Sequence, residues 1–356
     1  MEIFHYGNRS GDRGRFRLVL LFLVVIVMAV SVAGSASAKS IEDAAAFYKG
    51  KNLTLVVPYK PGGGYDTWGR LLAPYLGKYT GTRVIVKNMP GAGGMLGINE
   101  VYNARPNGLT INIQNAVAAV TNQLVGVKGV RYDLLKYNWL GRVTTDTRVL
   151  AMRKGASVKS IEALIKSKTP IKIGATGLGG STYVDAVVTK KALNLPIEIV
   201  HGYDSSSEVD LGLLRGEIDG TYGSYSSRLK MVKGGEQFLI MQSGTARVAV
   251  LPDIPTWFEV ASSEKAKNIL AVLTAMHGTG RPLAAPPGVA PERVAFLRQA
   301  LDKTMQDPDF LKSVKKAKKE IDYVSGEEMA EIIRTSLEIS DPEVKKVFVD
   351  AVQGDI

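Results

Sequence analysis

Pro58-Tyr-Lys-Pro-Gly-Gly-Gly-Tyr-Asp66 is a glycine-rich turn that directly follows the strand pattern Leu53–Val57. A second such turn, Lys87–Gly94, follows the strand pattern Arg83–Val86. Turns of this kind leave backbone N–H groups uncovered at the start of the next helix, where the helix dipole also favours negative charge. Two of them close together in the chain predict a cradle for an anionic group.

Strand and helix patterns alternate along the chain, which predicts an α/β fold with largely parallel sheets. A third glycine turn, Thr176–Thr182, follows a strand pattern in a second unit, and helices dominate after a predicted loop, Arg281–Gly288. Ligands of open α/β sheets lie at the carboxyl ends of the strands. We therefore expect the turns of the two units to face each other across a cleft. The strand patterns are Leu53–Val57, Arg83–Val86, Leu109–Gln114, Ile171–Gly174 and Ile197–Val200.

The N-terminus has the features of an export signal. A basic region that ends at Arg17 precedes the apolar run Leu18–Val30, and Ala36-Ser37-Ala38 supplies a cleavage site of small residues. An uncleaved membrane anchor is the alternative, but a spanning helix needs about 20 apolar residues. The sequence therefore predicts a cleaved signal peptide over residues 1–38 and a periplasmic location.

Composition excludes several classes of protein. The chain has no cysteine, which rules out disulfides, thiol chemistry and lipid attachment at a cysteine. Its net charge is +11, but the lysine-rich run Lys312–Lys319 carries no interleaved aromatic residues, so we predict no nucleic-acid binding. A positive field can still help to attract acidic ligands.

The glycine turns lack the residues that nucleotide binding or catalysis would need. A phosphate-binding loop ends in Gly-Lys-Ser/Thr, and Gly64-Tyr65-Asp66 stands at that place. His201 and His277 are the only histidines beyond the signal, and without cysteine they predict no zinc site and no Cys–His pair. The acidic residues of the second unit are assigned to turns and helix surfaces rather than to acid–base catalysis. We predict no enzymatic activity, no metal and no cofactor.

Two polar features of the turns have both a structural and a ligand-binding interpretation. Asp66 could cap the following helix, which Pro74 predicts to be short or kinked, or it could orient the loop and accept a donor from the ligand. Ser181 and Thr182 could likewise be helix caps, but hydroxyls beside uncovered N–H groups are also what a carboxylate needs.

Several motifs, in order along the chain, resemble those of the tripartite tricarboxylate transporter receptors, also called Bug receptors. The resemblance covers nearly all of the chain after the signal. The two glycine loops, taken together, are fairly specific for this family. The motifs are Val56–Asp66 with Arg70, Val86–Gly94, Ala104–Thr110, His201–Glu208, Arg215–Asp219 and Pro286–Pro291.

This resemblance implies a two-lobed α/β periplasmic binding protein of type II-like fold, with the ligand cleft between the lobes. Residues 39–145 and 276–356 would form the first lobe and residues 146–275 the second. Closure would use hinges near Val143–Leu150 and Ala271–His277. The tail from Asp341 to Ile356 extends past the usual end of the family.

The resemblance also implies a ligand and a set of binding residues. The ligand would be a small carboxylate, either a di- or tricarboxylate or an aromatic acid, and the partners would be membrane transporter subunits, with the receptor itself a monomer. One carboxylate would be held between the glycine loops of both lobes. The implied residues are Tyr59, Gly63, Gly64, Asp66, Ala92, Gly93, Asn115, Thr176, Gly180, Ser181, Thr182, Tyr183 and Tyr203.

Two departures from the family pattern fall in the second lobe. Many relatives have a histidine where Tyr183 stands, and a Pro-Tyr pair where this chain has His201-Gly202. The known ligands of the family therefore transfer poorly to this chain. A ligand-loaded partner of a membrane signalling sensor is the alternative function. A secreted hydrolase is a third, for which the sequence offers no pair of nucleophile and base.

Overall fold

The computed structural model describes residues 41–145, 147–338 and 341–353. The chain divides into two units, Met1–Phe47 and Tyr48–Ile356. The described part of the first unit is helical, and the helix ends at residue 48 (α1, 41–48). The predicted signal peptide lies outside the described residues. Within the described residues, no helix is both long enough and apolar enough to span a membrane.

The first sheet has six strands in the order β11-β4-β10-β3-β1-β2. β1 pairs in parallel with β2 and β3, whereas β10 and β11 pair antiparallel with their neighbours. Central β1 is apolar because its side chains are covered on both faces, and β2 at the edge alternates between more and less exposed residues. The strands are β1 (Asn52–Val57), β2 (Arg83–Asn88), β3 (Thr110–Ile113), β4 (Asn138–Arg142), β10 (Pro282–Ala285) and β11 (Val324–Ser325).

The second sheet has five strands in the order β7-β6-β8-β5-β9. β6 pairs in parallel with β7 and β8, and β5 pairs antiparallel with β8 and β9. The chain enters this sheet between β4 and β5 and returns to the first sheet at β10. The strands are β5 (Arg148–Arg153), β6 (Ile171–Thr176), β7 (Ile197–Tyr203), β8 (Gly220–Ser224) and β9 (Gln237–Gln242).

Helices cover both sheets, and the two predicted lobes are present as two separate sheets with their own helices. Two short 3₁₀ segments, Ala92–Gly94 and Leu134–Lys136, lie in the first lobe. The further helices are α2 (Gly64–Thr80), α3 (Met95–Tyr102), α4 (Ala116–Leu124), α5 (Ile161–Ile165), α6 (Ser181–Leu193), α7 (Ser206–Arg215), α8 (Tyr225–Lys233), α9 (Trp257–Val260), α10 (Glu264–His277), α11 (Pro291–Gln306), α12 (Pro308–Lys316), α13 (Gly326–Ser336) and α14 (Pro342–Gln353).

Helix α6 is buried on almost every side, from Ser181 to Thr189. It packs on β6 and β8 of its own sheet, and α10 and α14 cover its other faces. Phe348 of α14 is fully buried in the resulting core. The C-terminal helix thus contacts a helix of the second lobe, whereas the sequence assigned the tail to the first lobe. The lobe boundaries themselves stay a prediction.

Three local predictions differ from the structure. α2 begins at Gly64 rather than at Asp66, and it runs for 17 residues through Pro74 without ending there. Arg70, whose carbonyl loses its N–H partner at Pro74, lies on the exposed face, where water can replace that partner. The predicted loop Arg281–Gly288 contains strand β10, and its proline stands at the first strand position, where no ladder donor is needed.

Candidate functional site

A pocket lies where the N-termini of α2, α6, α7 and α8 meet, at the carboxyl ends of β1, β6, β7 and β8. The space inside the pocket and at its mouth, which is open to solvent, is about 440 Å³. Both lobes contribute, because α2 belongs to the first sheet and the other three helices to the second. The lining residues are Tyr59, Gly63, Gly64, Tyr65, Arg148, Thr176, Ser181, Thr182, Ser206, Gly223, Ser224, Ser227, Arg228 and Arg281.

Three of these four helices begin without a side-chain cap. No side chain of the N-cap residues Gly63 of α2, Gly180 of α6 and Ser224 of α8 accepts a hydrogen bond from the first turn, whereas the Ser205 side chain caps α7 by accepting from the N–H of Glu208. The first N–H groups of a helix have no partner within the helix. Uncapped helix ends that point at one pocket therefore provide hydrogen-bond donors and a positive potential for an anion.

The glycine turns of the two lobes are in close contact. A Cβ atom on Gly64 would lie 2.7 Å from both Arg281 Nη1 and Ser227 Oγ. On Gly93, which has a φ of +64°, it would lie 2.5 Å from the carbonyl oxygen of Leu178 and 2.6 Å from the amide nitrogen of Gly180. Only glycine allows the lobes to approach this closely, so the cleft is closed in this structure.

Asn115 links the two lobes through its side chain. Its Nδ2 donates to Tyr59 Oη at 2.6 Å and to Ser181 Oγ at 3.0 Å, and its Oδ1 caps α4 by accepting from the N–H of Ala118. Tyr59 in turn donates to the carbonyl of Gly93 at 2.8 Å. Burial raises the pKa of Tyr59 above its usual value, so its hydroxyl keeps the proton that this bond needs.

Asn115→Ala should weaken ligand binding by about tenfold, because the variant loses the hydrogen bonds to Tyr59 and Ser181 that hold the closed arrangement. Titration calorimetry with any acid that binds the wild type measures this. Ser263→Ala is the matched control, since Ser263 caps α10 in the same way and does not line the pocket. Equal affinity losses in both variants would show that only helix stability had changed.

Three arginines line the pocket, and the lining residues named above include no acidic side chain. Arg148 donates from Nε and Nη2 to Oδ2 of Asp185, at 2.7 and 2.5 Å. The guanidinium of Arg281 lies 4.5 Å from the centre of the Tyr65 ring, and its Nη2 donates to Ser224 Oγ at 3.1 Å. These contacts hold both guanidinium groups at the wall of the pocket.

Arg228 is the third arginine of the lining. Its side chain is 1 % exposed, and its Nη1 donates to Oδ1 of Asp210. Gln237 Nε2 also donates to that oxygen, at 3.0 Å. The guanidinium is thereby held in one position at the wall of the pocket.

Lys60 bridges the lobes at the rim. Its Nζ lies 2.8 Å from Asp204 Oδ2 and 2.9 Å from Glu208 Oε1. Hydrogen bonds to these two carboxylates raise the pKa of Lys60 to about 12. All three side chains are at least one-third exposed, so solvent screens these pairs and they contribute little to stability.

The structure brings six of the residues named from the sequence into the pocket wall, namely Tyr59, Gly63, Gly64, Thr176, Ser181 and Thr182. Asn115 lines a small adjoining space together with Ser181. Thr182 Oγ1 accepts from the N–H of Thr176 at 2.9 Å, which fixes the turn before α6.

The other residues named from the sequence lie outside the lining. Ala92, Gly93 and Gly180 are in the turns where the lobes touch, and Ala92 adopts a left-handed φ of 48° that is costly for alanine. Tyr183 is buried with its ring 5.3 Å from that of His201. Tyr203 lies against Gly212 of α7.

Asp66 orients the first glycine loop. Its carboxylate accepts from the N–H of Gly62 at 3.0 Å, from Asn88 Nδ2 at 3.0 Å and from Arg70 Nε at 2.9 Å. Burial alone would raise the pKa of Asp66, but Arg70 and the other donors outweigh it and hold the pKa below its usual value. The predicted N-cap role is wrong, because Asp66 lies inside the first turn of α2.

Several lining residues were not found from the sequence. Ser224 ends β8 and Ser227 lies in the first turn of α8. The glycines and serines of this strand–helix junction, Gly220–Arg228, could have been interpreted in the same way as the glycine turns. Arg148 and Arg281 carry no such signal. Arg148 begins β5, just after the chain passes from the first sheet to the second, and Arg281 directly precedes β10, where the chain returns. Among the described residues, no group of three or more histidine or acidic side chains could hold a metal ion.

Comparison with known proteins agrees with this geometry. Residues 69–348 match the family described as "Tripartite tricarboxylate transporter family receptor". A curated relative from Agrobacterium vitis, a UPF0065 protein in the TAR-I ttuE-ttuC' intergenic region, is 28% identical over 273 residues, which cover 75% of each chain.

Two solved structures show the same fold. The periplasmic binding protein BugD is 21% identical, covers 85% of this chain and 98% of its own, and has a TM-score of 0.72. MatC from Rhodopseudomonas palustris with bound malate is 19% identical, covers 84% and 99%, and has a TM-score of 0.68. The fold is therefore the predicted two-lobed periplasmic binding protein.

Proposed function

Since this chain belongs to the tripartite tricarboxylate transporter receptor family, we propose that it binds a small carboxylate in the cleft and delivers it to membrane transporter subunits. Receptors of this family are periplasmic, bind small carboxylates and work with membrane components, and proteins of this family and fold are not enzymes. The ligand class, the transporter and the export of this chain through a cleaved signal at residues 1–38 belong to the proposal, as does a monomeric state.

The observation that carries the proposal is the convergence of uncapped helix N-termini on a pocket whose named lining contains arginines and hydroxyls but no carboxylate. A carboxylate oxygen can accept two hydrogen bonds. Backbone N–H groups at the starts of α2 and α6, together with Ser181 and Thr182, offer such donors from opposite lobes. A ligand held by both would stabilise the closed arrangement.

Binding energy of the required size is within reach of this site. A receptor with micromolar affinity needs about 8 kcal/mol. Charge-assisted hydrogen bonds contribute about 1.5–3 kcal/mol each, so a few of them, with apolar contacts to Tyr59 and Tyr65 in a closed pocket, would be sufficient.

A thermal-shift screen of the protein from Lys39 onward tests the proposal. We expect one class among malate, succinate, adipate, citrate and benzoate to raise the melting temperature, because a ligand that binds only the folded state stabilises it by about 2.7 kcal/mol at a hundred times its Kd. Ser181→Ala/Thr182→Ala should abolish the shift. A folded sample that responds to none of these acids would contradict the carboxylate assignment.

A further inference from the structure

Arg228 carries a donor that the described protein does not use. Its Nη1 is paired with Asp210, but its Nε is buried and has no hydrogen-bond partner among the described residues. Buried guanidinium donors are normally satisfied, because leaving one without an acceptor costs stability. Since Arg228 lines the pocket, a ligand atom can supply the missing acceptor.

No side-chain acceptor of the described protein reaches this edge of the guanidinium. Gly223 stands beside it, and a Cβ atom there would lie 3.1 Å from Nε. The hydroxyls of Ser224 and Ser227, which also line the pocket, bond to each other at 2.7 Å. Asp210 lies on the Nη1 side and is itself held by Gln237, so it fixes the guanidinium without occupying Nε.

The pocket therefore contains two different devices for binding an anion. One consists of the uncapped N-termini of α2 and α6 with the hydroxyls of Ser181 and Thr182. The other is the guanidinium of Arg228, which belongs to α8 and is set beside Gly223 at the end of β8. One carboxylate held by the first device leaves Nε of Arg228 without an acceptor. A second anionic group on the ligand is the acceptor with which a guanidinium forms its strongest hydrogen bonds.

We propose that Arg228 binds the second anionic group of the ligand directly through Nε, and that it thereby makes the receptor select doubly charged acids over singly charged acids of the same length. This inference rests on the proposed function and names the residue that binds the end of the ligand opposite the first carboxylate. Asp210 acts as a positioning residue for that guanidinium.

Calorimetric titration of matched probes tests the assignment. Adipate and succinate are compared with their monomethyl esters, which keep the chain and remove one charge. We expect the wild-type protein to bind the diacid roughly ten- to a hundredfold more tightly than its ester, the range expected of a hydrogen bond to a charged group. Arg228→Lys keeps the charge beside Asp210 but has no Nε–H, so it should lose this preference through weaker diacid binding alone.

Two further variants distinguish an effect on ligand binding from loss of the fold. Arg228→Gln/Asp210→Asn removes both charges together and should show the same loss of preference if Arg228→Lys does not fold. Arg153→Lys is the matched control, because Arg153 forms a similar pair with Asp219 at 2.9 Å outside the pocket lining. It should leave the preference unchanged, and melting without ligand checks the fold of every variant.

The failures of the two proposals are distinguishable. Two results would overturn the role of Arg228 and leave carboxylate binding standing. One is equal affinity of the wild type for the diacid and its ester, and the other is an Arg228→Lys variant whose affinity falls by the same factor for both ligands. Absence of binding by any diacid or ester to the folded wild type would overturn carboxylate binding and this inference together.

Discussion

Gly93→Ala should lower ligand affinity by about a hundredfold, or about 2.7 kcal/mol, while the protein still folds. The added Cβ would lie 2.5 Å from the carbonyl oxygen of Leu178 and 2.6 Å from the amide nitrogen of Gly180. Both are backbone atoms of the opposite lobe, so no side-chain rotation can make room. The lobes must separate locally, and the closed arrangement that surrounds the ligand is lost.

Gly126→Ala is the control for this experiment. Gly126 has a φ of +67°, close to the +64° of Gly93, but no atom lies within 4 Å of its added Cβ. Both variants carry the strain of alanine in a left-handed conformation, about 1–2 kcal/mol, so both should melt at lower temperature. Affinity measured by calorimetry should fall only in Gly93→Ala. An unchanged affinity there would show that ligand binding does not need this contact.

Asp185→Asn should lower the free energy of unfolding by about 3–5 kcal/mol, the usual effect of removing one partner of a buried ion pair. The Asp185 side chain is fully buried and the Arg148 side chain is 11 % exposed. Asp185 also accepts a hydrogen bond from Nε2 of His277 at 2.8 Å. Urea unfolding at neutral pH measures the loss.

Asp219→Asn provides the comparison, because its pair with Arg153 is partly exposed, with 23 % and 30 % of the two side chains accessible. Solvent screening reduces such a pair to about 1 kcal/mol or less. Equal losses in the two variants would contradict the importance of burial at Asp185.

The same carboxylate gives the protein an acid-sensitive contribution to stability. Burial by itself raises the pKa of Asp185, but the charge of Arg148 and the contact with His277 outweigh it, so the pKa lies below that of an ordinary aspartate. A group with a lowered folded-state pKa contributes its full stability above its unfolded pKa of about 3.9 and loses it as the pH falls through the folded value. The unfolding free energy of Asp185→Asn should therefore fall less steeply with acid than that of the wild type.

Features that depend on neighbouring residues in the sequence could be predicted from it. Glycine turns follow β1, β2 and β6 as expected, because a strand pattern and a turn composition are both local signals. The predicted start of α2 lies two residues too late in the sequence, also for a local reason. Asp66 looks like a cap, but its carboxylate binds the N–H of Gly62 from within the first turn.

Features that depend on distant parts of the chain were not found. Arg281 reaches the pocket only because the chain returns to the first sheet beside the point where it left. Burial of α6 on almost every side depends in part on α14, more than 140 residues later in the chain. Arg228 was missed because its pairing with Asp210 on another helix gives no pattern within a window of sequence.

The strand orders of the two sheets also set the order in which the lobes can be completed during synthesis. All strands of the second sheet come from one continuous stretch, β5 to β9, whereas the first sheet includes β1 near its start and β11 near its end. Chains emerge N-terminal end first, and domains fold as their segments become available. The second sheet can therefore assemble while β1, β2, β3 and β4 still wait for β10, so these early strands are the part of the nascent chain that most needs protection from aggregation.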